Sequence, residues 1–335
     1  MTIKDIARES GYSVSTVSRV LNNRSDVSPE AKKKIDEIVA EHNFVPNNNA
    51  KHLKQIASET ICALVKGRSN ILFSGIVEEM QKAFAKTHYT LQVVYLDEED
   101  NEVEQAVIQC REKKPLGILF LGGNPVYFRE MFAKVKIPAV LVSTGAQELG
   151  FSNLSSVATD DKAASKCAVD YLLAQGHRHI GILGGNTKLS HTSRERLKGC
   201  MESFEAAGIR FDSDRYFVTA RFDFQSAYRA ANRLMDTADD VTAVFAMSDV
   251  MAIGAIRALL DRGLRVPEDV SVMGFDGISM ADYYNPKLTT IRQQFGIMAQ
   301  RSVEILFEAI DLKTGALHEI IPFEMTIGES VRTIG

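Results

Sequence analysis

The chain has 335 residues, 45% of them apolar, and a formal net charge of -4. That length accommodates two or three domains with buried cores, and the charge is too small for bulk attraction to a polyanion. The four cysteines, at 62, 110, 167 and 200, form no CxxC pair and have no accompanying histidine cluster, so they read as reduced, mostly buried residues rather than a disulfide frame or metal site.

The opening Met-Thr-Ile-Lys-Asp lacks the apolar core of a signal peptide, and no apolar run approaches the ~18 residues of a membrane span. A cytoplasmic protein with no membrane partner is expected. Charge is unevenly spread: residues 1–58 carry nine Lys or Arg against seven Asp or Glu, whereas the remainder carries 30 against 36. A basic head on an acidic body favours a nucleic-acid partner for the head.

Residues 1–43 read as three short helices. Thr2 with Asp5 is a capping signal, and Ile3, Ile6 and Ala7 form one apolar face. Gly11 breaks this helix. Ser13 can cap a second, with Val14, Val17 and Leu21 (and Val20) facing inward. Ser28-Pro29 starts a third, Ser as cap and Pro at the first helical position, followed by Ala31, Ile35, Ile38 and Val39 at helical spacing. Residues 44–58 are too polar and too rich in Pro and Asn for a core element. A helix over Ala50–Ile56 would be marginal alone, so this segment is expected to be a hinge that orders with a partner.

From residue 60 short apolar strands alternate with amphipathic helices. Strands are predicted at Thr60–Val65, Leu91–Tyr95, Gly117–Leu121, Ala139–Ser143, His179–Leu183, Tyr216–Thr219, Ala243–Ala246 and Val270–Gly274. The alternation implies doubly wound parallel sheets, and eight or more strands imply two α/β lobes.

Two short helices joined by a Gly turn, the second rich in hydroxyls and carrying Arg19, form a helix-turn-helix pattern. Val14 and Ser15 sit at the end that enters the major groove. Arg19 can donate twice to a guanine edge, while Thr16, Ser18 and Asn22 suit phosphate oxygens. By spacing alone, a hairpin of this sort is more often a packing unit than a DNA reader.

Ile3-Lys4-Asp5-Ile6-Ala7-Arg8, Gly11, Ser13 and Thr16-Val17-Ser18-Arg19-Val20-Leu21-Asn22 resemble the head of the LacI/GalR family of bacterial transcription regulators. The resemblance continues through Val27-Ser28-Pro29-Glu30, Phe44-Val45-Pro46-Asn47, Gly176-His177-Arg178, Arg196-Leu197-Lys198-Gly199, Asp249-Val250-Met251-Ala252, Gly274-Phe275-Asp276 and Leu288-Thr289-Thr290-Ile291.

The resemblance implies a helix-turn-helix domain over 1–43 and a hinge over 44–58. It implies a body similar to type I periplasmic binding proteins, with one lobe of 59–158 plus 288–317 and another of 159–287 plus 318–335. The expected DNA-binding set is Thr2, Ser13, Val14, Ser15, Thr16, Ser18, Arg19, Asn22, Asn47, Ala50, Lys51 and Leu53. Leu53 would wedge into the minor groove at the operator centre, where deformability is read; a buried hinge contact is the other reading. Lys51 stands where the family usually has Arg, keeping the charge without the planar fork. The partners implied are a near-palindromic double-stranded operator, a second copy of the chain and a small effector. The C-terminal Val331-Arg332-Thr333-Ile334-Gly335 carries no Leu heptads, so a dimer is expected and a tetramer is not.

For the effector, the resemblance points to Phe73, His191, Arg196, Phe222, Ser248 and Asp276, with Thr192 and Arg194 on the same loop. Arg196 and Asp276 would clamp vicinal hydroxyls of a sugar or sugar phosphate, with a purine as the alternative. The lesser alternative is that they pair with each other, and Phe73 and Phe222 have a core reading as well. Asp249 reads as a helix N-cap. Ser69-Asn70-Ile71-Leu72-Phe73 stands where many members have Asn-Pro-Phe-Phe, so ligand identity does not carry over.

A plain solute-binding protein would lack the head. An enzyme is not expected: no GxGxxG follows a strand, no P-loop or Ser/His/Asp set is present, and Gly184-Gly185-Asn186 is too short to cradle phosphate. No cofactor or metal is expected. A transcription repressor controlled by a small molecule is the function implied.

Overall fold

The computed structural model describes residues 3–21, 27–42, 59–68 and 70–335. The chain divides into two compact units, Met1–Ala57 and Ser58–Gly335.

In the first unit, α1 (Ile3–Ser10), α2 (Val14–Leu21) and α3 (Pro29–Glu41) enclose a small core of Ile6, Val17, Val20 and Ile35. Gly11 ends α1 in the left-handed region at φ +75, its N–H reaching Ala7 O at 3.1 Å. The Ser13 hydroxyl accepts from Thr16 N–H at 3.1 Å, and Ser28 accepts from Ala31 N–H, satisfying otherwise orphan donors of α2 and α3. Val14 departs from the expected inward face. It is 43% exposed, because the core closes on Val17 and Val20 one turn further in.

The second unit contains two six-stranded sheets among its described residues. The first is built from β1 (Thr60–Lys66), β2 (Thr90–Leu96), β3 (Gly117–Leu121), β4 (Ala139–Val142), β5 (Leu154–Ala158) and β11 (His318–Ile320), in the order β11-β5-β4-β3-β1-β2. The second uses β6 (Ile180–Gly184), β7 (Phe217–Thr219), β8 (Ala243–Ala246), β9 (Ser271–Asp276), β10 (Thr289–Gln293) and β12 (Phe323–Thr326), in the order β12-β10-β9-β8-β6-β7. Every pairing is parallel except β10 with β12. Both sheets thus follow one winding order, which reverses direction between their first and third strands. Central strands such as β3, β4, β6 and β8 are buried along their whole length, the signature of a parallel sheet covered on both faces.

Helices α4 (Ile71–Phe84), α5 (Glu102–Glu112), α6 (Pro125–Met131) and α13 (Phe295–Asp311) accompany the first sheet. Helices α7 (Asp161–Ala174), α8 (His191–Ala206), α9 (Ser213–Tyr216), α10 (Phe224–Thr237), α11 (Asp249–Asp261) and α12 (Ser279–Tyr283) accompany the second. α7 and α8 approach closely at Gly199, where any Cβ would lie 2.1 Å from Lys162 O.

The chain passes between lobes three times. The first passage lies between Ala158 and Asp161. The expected return near 288 is corrected to Gln293–Phe295, because β10 pairs in register with β9 in the second sheet. The third passage, expected near 318, falls after Ile320, because β11 pairs with β5 in the first sheet.

Candidate effector site and DNA-reading face

In open parallel sheets the loops leaving the carboxyl ends of the strands diverge at the point where the winding order reverses, and leave a crevice there. Both lobes contribute such loops to one cleft of about 400 Å³. Gly67, Arg68 and Asn70 follow β1, Asp97 and Glu98 follow β2, and Gly122 and Gly123 follow β3. Opposite them, Gly185, Asn186 and His191 follow β6, Arg221 and Phe222 follow β7, and Asp276 ends β9.

Arg196, on the inner face of α8, is 4% exposed and anchored on every side. Its Nε donates to Asp161 at 2.8 Å, its Nη1 donates to Met247 O, and Nη1 lies 3.7 Å from Asp276 Oδ1. The guanidinium covers the Phe275 ring at 3.6 Å. Asp276 occupies φ +119, a conformation non-Gly residues rarely adopt. Gln293, the last residue of β10, donates to it at 2.8 Å. Burial pushes the Asp276 carboxyl up to about 7, with Arg196 and Gln293 pulling against that rise. Asp161 is likewise raised by burial, opposed by Arg196. The sequence expectation offered a ligand clamp or an internal pair. Arg196 and Asp276 both line the cleft, and they also face each other.

His191 begins α8 behind the Ser190 cap, and burial lowers its pKa. Phe73 is 7% exposed and belongs to the first lobe's core, while its ring also borders the cleft. Phe222 is half-buried and likewise faces both ways. Thr192 lines the cleft; Arg194 does not, and instead donates to Thr187 O.

Two expectations are corrected. Ser248 does not line the cleft: its hydroxyl accepts from Met251 N–H at 3.2 Å, making Ser248 the N-cap of α11. Asp249 is therefore the first helical residue, not the cap. Fully buried, it accepts from Ile278 N–H at 2.8 Å and from the Thr290 hydroxyl at 2.5 Å. Burial, with Asp276 nearby, holds its carboxyl well above the ordinary range.

Several cleft residues were not singled out in the sequence. Lys66 ends β1 and bonds Glu102 at 2.8 Å, and Glu102 in turn accepts from Asn124 N–H at 2.5 Å. Gln293, Asp97, Glu98 and Arg221 line the cleft too, and Asp161 lies behind it against Arg196. Arg221 adjoins the aromatic Phe222 at a strand end, which is a usable signal. Asp161 and Gln293 carry none, since only tertiary folding brings them to Arg196 and Asp276.

In the first unit, Ser13, Val14, Ser15 and Arg19 are exposed on one end and face of α2, and Thr16 and Ser18 are half-buried. Thr2, Asn22, Asn47, Ala50, Lys51 and Leu53 lie outside the described residues.

Residues 2–47 match the family described as bacterial regulatory proteins, lacI family, and residues 169–331 match the periplasmic binding protein-like domain. The chain is 37% identical to the HTH-type transcriptional regulator MalR of Clostridium butyricum, over 98% of this chain and 99% of that protein. It is 32% identical to the ribose operon repressor of Haemophilus influenzae, over 92% of each. Among solved structures it resembles a transcriptional regulator CelR-cellobiose complex, at TM-score 0.71 and 26% identity over 98% of this chain and 99% of that one. It also resembles the lac repressor dimer bound to operator and the anti-inducer ONPF, at TM-score 0.72 and 25% identity over 99% of each.

Proposed function

From the premise that the chain belongs to the lacI family of bacterial regulatory proteins, and is a DNA-binding transcription regulator under small-molecule control rather than an enzyme, we propose that it is a cytoplasmic homodimeric repressor whose effector is an uncharged sugar. Each head would read one half of a near-palindromic operator, since one short recognition helix spans few base pairs. Ser13, Val14, Ser15 and Arg19 would face the major groove, Thr16 and Ser18 the flanking phosphates, and Leu53 with Lys51 and Ala50 the minor groove.

The charge balance of the cleft carries the effector reading. Lys66 is matched by Glu102, Arg196 by Asp161 and Asp276, and Arg221 by Asp97 and Glu98. The Glu99 N–H, then Arg221 and lastly Arg68 hold the Asp97 carboxyl low, and Glu99 and Asp223 add two more acids to the lining. A phosphate or carboxylate entering here would meet excess negative charge. Hydroxyls, by contrast, find acceptors on Asp276, donors on Gln293 and Arg196, and the rings of Phe73 and Phe222 for an apolar sugar face.

A thermal-shift screen of neutral mono- and disaccharides, their phosphates and purines tests this. A ligand at a hundred times its Kd stabilises the native state by about 2.7 kcal/mol. The expected result is a neutral sugar that raises Tm and alters operator retardation. A phosphorylated sugar or purine as the sole stabilising ligand would overturn the uncharged-sugar reading while leaving effector control intact.

A further inference from the structure

The two lobes are joined across the cleft rim by side chains to which the effector reading gives no contact with the sugar hydroxyls. Arg221 leaves β7, the edge strand of the second sheet, and Asp97 and Glu98 leave β2, the edge strand of the first. Arg221 Nη2 lies 2.6 Å from Asp97 Oδ1 and its Nε 2.6 Å from Glu98 Oε1, so one guanidinium grips two carboxylates of the other lobe.

Both ends of this grip are built in advance. Asp97 Oδ1 also accepts from Glu99 N–H at 3.1 Å, and Asp97 N–H donates to Asp100 at 2.8 Å, closing a tight turn. Arg221 N–H donates to the Ser226 hydroxyl at 2.9 Å. Little backbone freedom remains to be lost when the pair forms, unlike the ordinary surface ion pair. On a second part of the cleft, Asn124 Nδ2 donates to Leu189 O at 3.0 Å, a neutral bridge between lobes.

We propose that Arg221, Asp97 and Glu98 form a clasp that holds the lobes together without ligand, and that effector entry requires this clasp to open. Arg221 is then an access-controlling residue, distinct in role from the cleft floor of Arg196 and Asp276. The Arg221 and Asp97 side chains are each about half exposed, at 47% and 49%, so salt reaches the clasp. The Asn124 bridge carries no charge and is indifferent to salt.

The test is amide hydrogen exchange on the full-length, ligand-free protein, so its failure is separate from any failure of the sugar reading. Arg221→Gln should speed exchange in the loops 97–100 and 185–190 about two- to tenfold, the range expected when two accessible ion pairs are lost. Amides of β3 and β8 should be unchanged. Sodium chloride at 1 M should speed the same loops in the natural chain and not in Arg221→Gln. Combining Arg221→Glu with Glu98→Arg should restore slow exchange. Unchanged loop exchange in Arg221→Gln, a salt response that persists in it, or equal acceleration in β3 and β8 would each overturn the clasp.

Discussion

Asp276→Asn isolates the electrostatic cost of the cleft floor. The Asp276 carboxyl is raised from 3.8 to about 7, first by burial. At 1.36 kcal/mol per pH unit, that rise amounts to about 4 kcal/mol of destabilisation once the group is ionised. Between these two values the native state holds a proton that the unfolded chain has released. This contribution to stability is therefore complete below pH 3.8 and is lost as pH rises toward 7. Asn keeps an acceptor for Gln293 and tolerates φ +119 better than most residues, but cannot ionise. The stability of Asp276→Asn relative to the natural chain should rise by about 3 kcal/mol from pH 5 to pH 8. Urea unfolding followed by far-UV circular dichroism measures this; the chain contains no Trp, so indole fluorescence is not an option. A difference that stays flat or falls with pH would refute the argument. A sugar hydroxyl donating to Asp276 would favour the ionised form, so effector binding near pH 6.5 should release protons, read as buffer-dependent heat.

Arg19→Ala should cost about 1–3 kcal/mol on the specific operator and relax preference at one base pair; equal loss on random DNA in a retardation assay would reduce Arg19 to a phosphate contact. Leu53→Ala should weaken operator binding while leaving the effector-induced rise in Tm unchanged, and a lost Tm response would move Leu53 out of the DNA-binding set. Light scattering of the full chain should give a dimer, and a stable tetramer would contradict the assembly expected here. Gly199→Ala should destabilise by about 1–3 kcal/mol in urea, since its Cβ would collide with Lys162 O; an unchanged midpoint would show that α7 and α8 can separate.

Strands with unbroken apolar runs were readable because burial on both faces demands such runs. Gly117–Leu121 and Ala243–Ala246 needed nothing further. β5 was not, because Ser155 and Ser156 interrupt its pattern. Both are buried, yet their hydroxyls meet Ala146 N–H from the preceding loop and Leu317 N–H and the His318 ring, the last two present only after the late segment returns. β10, Thr-Thr-Ile-Arg-Gln, hides for the same reason: Thr290 is buried because Asp249 receives its hydroxyl. Without this strand the lobe boundary falls at 288; its pairing with β9 places the boundary after Gln293. In the cleft, the Arg196 and Asp276 positions were legible from motifs. The role of Ser248 was not, because a capping serine and a ligand-binding serine look alike one residue before a helix. Charge pairs such as Arg221 with Asp97 join residues 124 apart in sequence, and no local pattern encodes them.

The position of Gln293 offers a route by which a ligand in the proposed effector site would act on the junction between the lobes. Gln293 is the last residue of β10, and the chain leaves the second lobe immediately after it to begin α13 against the first. Its amide is bonded to Asp276, so a ligand at that carboxylate would act on a residue at the lobe passage itself. Asp249 reinforces the link, since one buried carboxylate holds both Ile278, just after Asp276, and Thr290, within the strand that leads to the passage. A ligand shifts a conformational equilibrium only by the difference in its affinity for the two states. Here that difference could arise at Asp276 and Gln293 themselves, because a change of lobe orientation would be felt first at the strand end on which Gln293 stands. No extended chain of intermediaries would be needed between the floor of the cleft and the segment that joins the lobes.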